Sequence, residues 1–384
     1  MLYTYLAPDY FKNFKCKMGN CRHACCEGWR VSIDVTKYFE LLGADCDPEL
    51  RHRIDCSLRL SDRPSEESYA YLEHGYDGNC RLRAPDGSCS LQNALGESAI
   101  PDVCRLYPRG IRKDQYGLEC SLANSCEATL ELFLNHPQPI EFSLQQLELL
   151  PPKLLNELHQ IQSFGIQREL RLFFISLMQD RSLPIPQRLT KLKNALLFLE
   201  KCADAKDSES PKRILSKEIC FSPDAPTLPL PEDAANLLEL MKKFCRLSES
   251  LSDAACPIIE HLENCPEPEK LFSRLRESFD NSLENKEVFF EHMLTNHMFF
   301  SRFPYQDRPH SALEEYTALC AVYIILRFIC IGSCIDGFSL SKTVDLCADA
   351  FRLIDHTDFE SNAIRTMNGF FRQRKASVEA LIIL

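Results

Sequence analysis

The sequence lacks the short loops that usually hold nucleotides. No two of its 13 glycines stand two residues apart, so it has no G-x-G and no local signature of a Rossmann-type loop. G-x-x-x-x-G-K-[ST], H-E-x-x-H and G-x-S-x-G are also missing, which removes the motif grounds for a P-loop enzyme, a zincin or an elbow-type hydrolase. Positive charge is in deficit: 44 Lys and Arg against 55 Asp and Glu leave a net charge of −11. That argues against a protein that coats nucleic acid or anionic membrane through its overall field. Long apolar runs are absent too. The most apolar stretch, residues 320–331 (CAVYIILRFICI), is too short to span a bilayer and contains Arg327, so a buried helix is expected. The first fifteen residues, MLYTYLAPDYFKNFK, lack the continuous apolar core of a secretory leader. The expectation is a cytoplasmic protein with no nucleic-acid or membrane partner, in a compartment where thiols stay reduced.

Cysteine is what the chain has in excess. Eleven of its 20 cysteines fall between Cys16 and Cys126, and none follows until Cys202. The nine later ones sit mainly in apolar helical contexts, where buried packing is the ordinary role of a free cysteine. The early eleven form three groups: Cys16-KMGN-Cys21-RHA-Cys25-Cys26, Cys80-RLRAPDGS-Cys89, and Cys104-RLYPRG with Cys120-SLANS-Cys126. If the chain enters a helix near Cys21, then Cys21 and Cys25 lie one turn apart on one face. Gly19-Asn20 is a turn that would fold Cys16 back toward them. Pro85 and Gly87 suit a type I turn. A four-residue loop there sets Arg83 opposite Ser88 and Leu82 opposite Cys89, with Cys80 and Cys89 on one face of a hairpin.

Metal ligation competes with disulfides and with unligated thiols; Cys46 and Cys56 belong with the last. Zinc sites usually show paired C-x2-C knuckles or Cys/His mixtures, and no knuckle occurs here. Irregular all-cysteine spacing leans toward iron–sulfur, with zinc as the alternative metal. The C-x3-C-x2-C triad of radical enzymes is nearly met by Cys21 and Cys25, but Gly28 holds the third position. Arg105 and Arg109 flank the third cysteine group, where guanidinium groups would stabilise an anionic cofactor such as a thiolate-ligated cluster.

After about residue 140 the pattern turns helical, with apolar spacing over 144–150, 154–161, 170–178, 189–199, 234–247, 271–298, 313–331, 340–354 and 359 onward. Asp233 is a candidate helix cap. The fold class expected is mainly α: a cysteine-rich loop-and-hairpin module with a metal centre at 1–135, followed by a helical body at 136–384.

The cysteine module resembles the flagellin lysine N-methylase family, within a broader set of zinc- or iron-chelating cysteine proteins. The matching text is Cys21-RHA-Cys25-Cys26-EGW-RVSID, with Trp29 and Asp34, then GN-Cys80, GS-Cys89-SLQNALGES, Cys104-RLYPRG and LE-Cys120-SLANS-Cys126-E. The helical remainder resembles the family more weakly, through FPY at Phe303 and AFRLIDH ending at His356. The resemblance implies a protein-lysine N-methyltransferase acting on flagellin, with S-adenosylmethionine as donor and a [4Fe-4S] cluster. The ligand pool it implies is Cys16, Cys21, Cys25, Cys26, Cys80, Cys89, Cys104 and Cys126, with Cys120 excluded. Eight thiols exceed the four that one cluster needs. Two centres, a cluster beside a structural zinc, or surplus packing thiols all remain open.

Methylation needs the lysine amine deprotonated, because the ammonium has no lone pair. Asp34, Glu97 and Tyr107, each inside a matching motif, are candidates to orient or deprotonate it. A helix cap, a partner for Arg105 or Arg109, and a packing residue are their respective alternatives. Against the methyltransferase stands a non-catalytic zinc- or iron-chelating protein, or a redox scaffold. Some 250 further residues are more than chelation requires.

Overall fold

Past Glu314 and Glu315 in its first turn, the segment 312–332 is apolar around most of its circumference, and it forms a single helix, Ala312–Gly332. A capping box starts it: Ser311 Oγ accepts from Glu314 N, and the Glu314 carboxylate accepts from the Ser311 amide. The helix is long and apolar enough to cross a membrane, yet 89% of its most apolar stretch is buried inside the protein. It is a core helix, nine residues longer than the apolar run that announced it. Arg327 is neutralised by Asp280, with Nη1 and Oδ1 2.9 Å apart. Helices Ile185–Asp204, Pro268–Ser282, Leu340–His356 and Phe359–Gln373 pack around this axis. Gly332 is buried where helix Glu249–Glu263 crosses, and a β-carbon there would overlap the Ile258 side chain.

The computed structural model describes residues 2–27, 30–114, 117–149, 166–207, 209–225, 231–305, 309–374 and 376–384. The helix expected at 154–161 and the motif residue Trp29 lie outside them. The chain divides into two units: residues 1–13, 111–125 and 129–384 form one, and residues 14–110 with 126–128 form the other.

The described strands are β1 (Tyr3–Pro8), β2 (Val31–Ile33), β3 (Leu58–Leu60), β4 (Ala70–Leu72), β5 (Arg109–Asp114), β6 (Gly117–Leu122) and β7 (Phe142–Leu147). One sheet runs in the order β5-β6-β1-β7, with β1 parallel to β6 and antiparallel to β7. Strand β7 corrects the helix expected at 144–150. Leu144 is 70% exposed while Leu147 is buried, and the segment is held by its ladder to β1, with Tyr5 opposite Gln145. Three apolar residues near helical spacing did not outweigh that pairing.

Other helical expectations hold with shifted bounds. Residues 170–178 lie in Gln167–Met178, and 189–199 in Ile185–Asp204, which opens on Pro186 in its first turn. The 271–298 stretch is two helices, Pro268–Ser282 and Lys286–Phe300. Asp233 lies inside the first turn of Pro231–Cys245 and does not precede it as a cap.

The cysteine-bearing unit is mixed α and β, which corrects the expectation of loops and a hairpin alone. Its antiparallel sheet has the order β2-β4-β3. Helix Val35–Leu42 is capped by Asp34, and Pro48–Ser57 by Asp47 with Pro48 in the first turn. Val31, Ile33, Leu50, Ile54, Leu72 and Leu91 are among the residues of one apolar core, to which Cys80 also belongs; Cys26, Cys89 and Cys104 pack on its margin.

Candidate metal centre and a buried polar network

Residues 16–27 form turns rather than a helix, so Cys21 and Cys25 do not share a helical face. Asn20 N bonds Lys17 O at 3.1 Å, closing the turn expected at Gly19-Asn20. The segment around residues 80–89 also departs from its expected register. Arg83 pairs with Cys89 in an isolated bridge, Ala84 N bonds Ser88 O at 2.8 Å, and Gly87 N bonds Ala84 O at 2.9 Å. The turn is where the sequence placed it, but the pairing has slipped by one residue and Ser90–Leu95 continues as helix rather than strand. Three carbonyl bonds from Arg53 fix the loop: Nε and Nη2 to Arg81 O, and Nη2 to Arg83 O.

Of the eight candidate thiols, Cys26, Cys80, Cys89 and Cys104 gather at one core, Cys16, Cys21 and Cys126 neighbour one another, and Cys25 meets Cys26, Cys104 and Cys16. Cys80 N donates to Cys26 O at 2.8 Å, and Cys26, Cys80, Cys89 and Cys104 border the same core. Cys126 instead lies beside the first loop. Its neighbour Glu127, only 2% exposed, accepts from Lys17 Nζ at 2.7 Å, Arg22 N at 3.0 Å and His23 N at 3.3 Å. That clamp holds the Cys16–Cys21 turn against Cys126.

The charges follow from these contacts. Burial pushes Cys80 up to about 11, and the fields of Cys26 and Cys89 add to it. Burial also raises Cys104, followed by Cys80, Cys89 and Cys26, and it raises Cys89. Cys21 is pushed up to about 11 by burial, then by Glu127, Cys126 and Cys16. The Cys25 thiol donates to Cys26. That bond brings Cys26 down to about 7, with help from Arg83, and holds Cys25 well up.

Among the described residues, no three Cys, His, Asp or Glu side chains already form a ready metal site. What suits a thiophilic cation is the chemistry of the donors: neighbouring thiols, of which burial and mutual repulsion raise Cys21, Cys80, Cys89 and Cys104, and which bind a metal as thiolates. His74 pairs with Cys80 in a bridge, and its Nε2 is buried without a partner. Cys46 packs on the core margin, Cys56 lies 3.6 Å from His52 Nε2, and Cys120 is buried in β6.

Asp34 accepts from Lys37 N at 2.9 Å as a helix cap. Lys37 Nζ reaches Ser98 O at 2.8 Å, which sets this helix beside the turn bearing Glu97, itself exposed. Tyr107 ends helix Asp102–Leu106 before a cis bond to Pro108. Arg105 pairs with Asp102 at 2.6 Å, and the Arg109 guanidinium stacks over Phe14.

The other unit holds a polar network that motif reading missed. Tyr10 Oη donates to Asn296 Oδ1, and Asn296 Nδ2 bonds Leu122 O at 2.7 Å and Asn124 Oδ1 at 2.6 Å. Asn124 N donates to Asp355 Oδ2 at 3.0 Å, and His297 Nδ1 lies 3.1 Å from Asp355 Oδ1. Ser125 Oγ meets His356 Nε2 at 2.7 Å. Tyr10, Asn124, Ser125, Asn296 and His297 are buried; His356 ends the chain of contacts, exposed as a whole residue but with its ring Nε2 turned inward onto the buried Ser125. Burial lowers the His356 pKa, outweighing the Asp355 carboxylate beside it. The signals were present in SLANS and AFRLIDH, but their meeting depends on tertiary folding.

The family model described as the FliB lysine N-methylase C-terminal domain matches residues 171–384. Lysine-N-methylases of Salmonella choleraesuis (strain SC-B67) and Salmonella typhimurium (strain LT2) are each 23% identical over 206 residues, covering 53% of this chain and 50% of theirs. The flagellar biosynthetic protein FliU of Salmonella muenchen is 25% identical over 134 residues, 35% of this chain and 79% of that protein. The chain thus spans about half the length of the two lysine-N-methylases it matches. No solved structure matches it.

Proposed function

The chain belongs to the FliB lysine N-methylase family, and we propose that it transfers methyl groups to lysine ε-amines of a protein substrate, with flagellin as that substrate. The observation that carries this reading is the family match over residues 171–384, which includes the Asn296, His297, Asp355 and His356 side of the polar network. The flagellar assignment draws on a relative whose name is that of a flagellar biosynthetic protein. A cytoplasmic location, where cysteines stay reduced, is part of the same proposal.

The methyl donor is S-adenosylmethionine, whose sulfonium supplies an electrophilic methyl when bound. The chain's own task is to present a neutral amine. A free lysine ammonium has a pKa near ~10 and must lose its proton before transfer. His356, kept neutral by its lowered pKa and held on Ser125, is suited to take that proton. Asp34 is already used as a cap and Glu97 stands in solvent, so the proton-accepting role falls to His356. The [4Fe-4S] cluster would draw its ligands from the eight thiols of the cysteine-bearing unit, with Arg105 and Arg109 as nearby cations.

The test is anaerobic purification and incubation with S-adenosylmethionine and flagellin, read by intact mass. The expected result is a flagellin ladder spaced by single methyl groups. No mass gain from protein carrying its full metal complement would overturn the assignment. The gathering of thiols favours one other reading, a metal-chelating protein without catalysis. Its mark is metal binding with no affinity for S-adenosylmethionine.

A further inference from the structure

Phe39 is 57% exposed and Leu42 44% exposed, although Leu41 of the same helix is buried in the apolar core of the cysteine-bearing unit. The two exposed side chains stand three residues apart on helix Val35–Leu42, so they share a face. Phe39 does not stand alone. Its ring centroid is 5.3 Å from that of Tyr38 and 6.0 Å from that of Tyr69, and Tyr38 and Tyr69 are 5.2 Å apart. The two tyrosines root this trio on the margin of the core, while Phe39 projects into solvent. Single exposed apolar residues are ordinary, but three rings in mutual contact with a leucine one turn further on make a continuous patch. We propose that this patch is a docking surface for a basic, lysine-bearing segment of the protein substrate. The proposal rests on the methylase reading for its partner, and adds where that partner is held.

Charge says which partner fits. The turn before Tyr69 is tied to the entry of the helix by two backbone bonds, Val35 N to Glu66 O at 3.0 Å and Tyr69 N to Ile33 O at 2.9 Å. Val35 and Phe39 are four residues apart on one face, so the turn bearing Glu66 and Glu67 lies beside the rings. Both glutamates are exposed, and among the described residues neither enters an ion pair. The two segments that carry the rings, residues 34–47 and 61–69, hold seven carboxylates against Lys37 and Arg63. Lys37 is already paired with Glu40 at 2.6 Å. A second copy of this chain would bring like charge against like charge, and nucleic acid or an anionic membrane would be repelled in the same way. A lysine-bearing segment meets both features: its methylene stems lie along the rings, and its ammonium groups lie over ring faces or beside the carboxylates. The surface takes no part in proton or methyl transfer, so it acts on how tightly the substrate is held.

The test uses the full chain and flagellin, with equilibrium binding measured without methyl donor and initial rates measured with it. Phe39→Ser is expected to weaken flagellin binding by about tenfold and to raise KM by a similar factor, while kcat stays within about twofold. Glu66→Gln/Glu67→Gln is expected to weaken binding at low ionic strength, a difference that shrinks in high salt. Tyr76→Ser, which removes an exposed ring outside the cluster, should match wild type. Flagellin binding unchanged in Phe39→Ser or in the double variant overturns the proposal, and so does a wild-type dimer in sedimentation that Phe39→Ser dissociates. If Phe39→Ser loses the wild-type circular dichroism, the double variant decides. If the wild-type chain neither binds nor methylates flagellin, the methylase reading fails separately, and a peptide of alternating leucine and lysine replaces flagellin as the probe. Binding of that peptide to wild type and its loss in the double variant sustain the surface; no binding of either probe overturns it.

Discussion

Gly19 and Gly87 meet backbone to backbone, joining the turn between Cys16 and Cys21 to the turn between Cys80 and Cys89. A β-carbon built on Gly19 would lie 2.6 Å from the Gly87 carbonyl, and one on Gly87 would lie 2.5 Å from the Gly19 oxygen. Both residues also have positive φ, +95° and +86°, a region glycine enters without steric cost. The contact makes the two thiol-bearing loops a single structural piece.

Replacing either glycine by alanine combines a disfavoured backbone with an overlap against main chain, which has little room to yield. The expected loss is roughly 3 kcal/mol or more. Gly19→Ala and Gly87→Ala should each lower the thermal midpoint of the cysteine-bearing unit and reduce bound metal. Gly78→Ala serves as the control, because it shares the positive φ but has no neighbour within contact of a β-carbon. Metal retention equal in all three variants would show that the close approach is unimportant.

Much of this arrangement is open to a reader of the sequence, and the limit is physical. Turns are local, so Gly19-Asn20 and Ala84 to Gly87 announce themselves through residue type. Pairing depends on what lies across the turn; the slip that sets Arg83 against Cys89 follows from helix Ser90–Leu95 starting immediately afterward. Helices with strong apolar periodicity were readable for the same local reason. Strand β7 was not, because it is defined by a partner about 140 residues away. The Asp355 network shares that difficulty: a loop from β6, one buried helix and one helix end meet only in three dimensions.

Glu291 is fully buried between two guanidinium groups, with Arg181 Nη2 at 2.9 Å and Arg188 Nη1 at 2.8 Å. Removing one partner of such a pair leaves uncompensated charge and costs about 3–5 kcal/mol. Glu291→Ala should therefore destabilise the helical unit by that amount in denaturant unfolding. The double replacement of Glu291 and Arg188 by apolar residues should recover part of the loss. A single-variant change below about 1 kcal/mol would mean that water reaches the site.

His292 gives the helical unit a sensitivity to acid. Burial pushes its pKa down from 6.5 to about 4, despite the bond from its ring to His136 O at 2.7 Å. The unfolded chain thus binds a proton near 6.5 that the folded chain refuses until about 4. Stability from this group is complete above pH 6.5 and declines as the pH falls toward 4, by about 3 kcal/mol in all. His292→Gln retains a side-chain donor but cannot titrate. Thermal midpoints measured from pH 7 to 4 should fall less steeply for the variant, and parallel curves would remove His292 from the acid response.

The final prediction concerns the Ser125–His356 contact. If His356 accepts the proton of the incoming lysine ammonium, His356→Ala should slow methyl transfer by about 10²–10⁴-fold, the usual scale of a positioned base. Ser125→Ala, which leaves the ring in place but removes its partner at 2.7 Å, should cost less. His356→Ala should leave stability within about 1 kcal/mol of wild type, since the residue is largely exposed, and Ser125→Ala, at a buried position, should cost about one hydrogen bond, ~1 kcal/mol. The pH dependence separates base from scaffold. In wild-type protein the transfer rate should fall as acid protonates His356, at a pH below the ordinary histidine value because burial lowers its pKa. In His356→Ala that limb should vanish, with transfer then rising with pH as solvent takes over deprotonation of the amine. An unchanged acid limb in the variant would assign the proton transfer to another group.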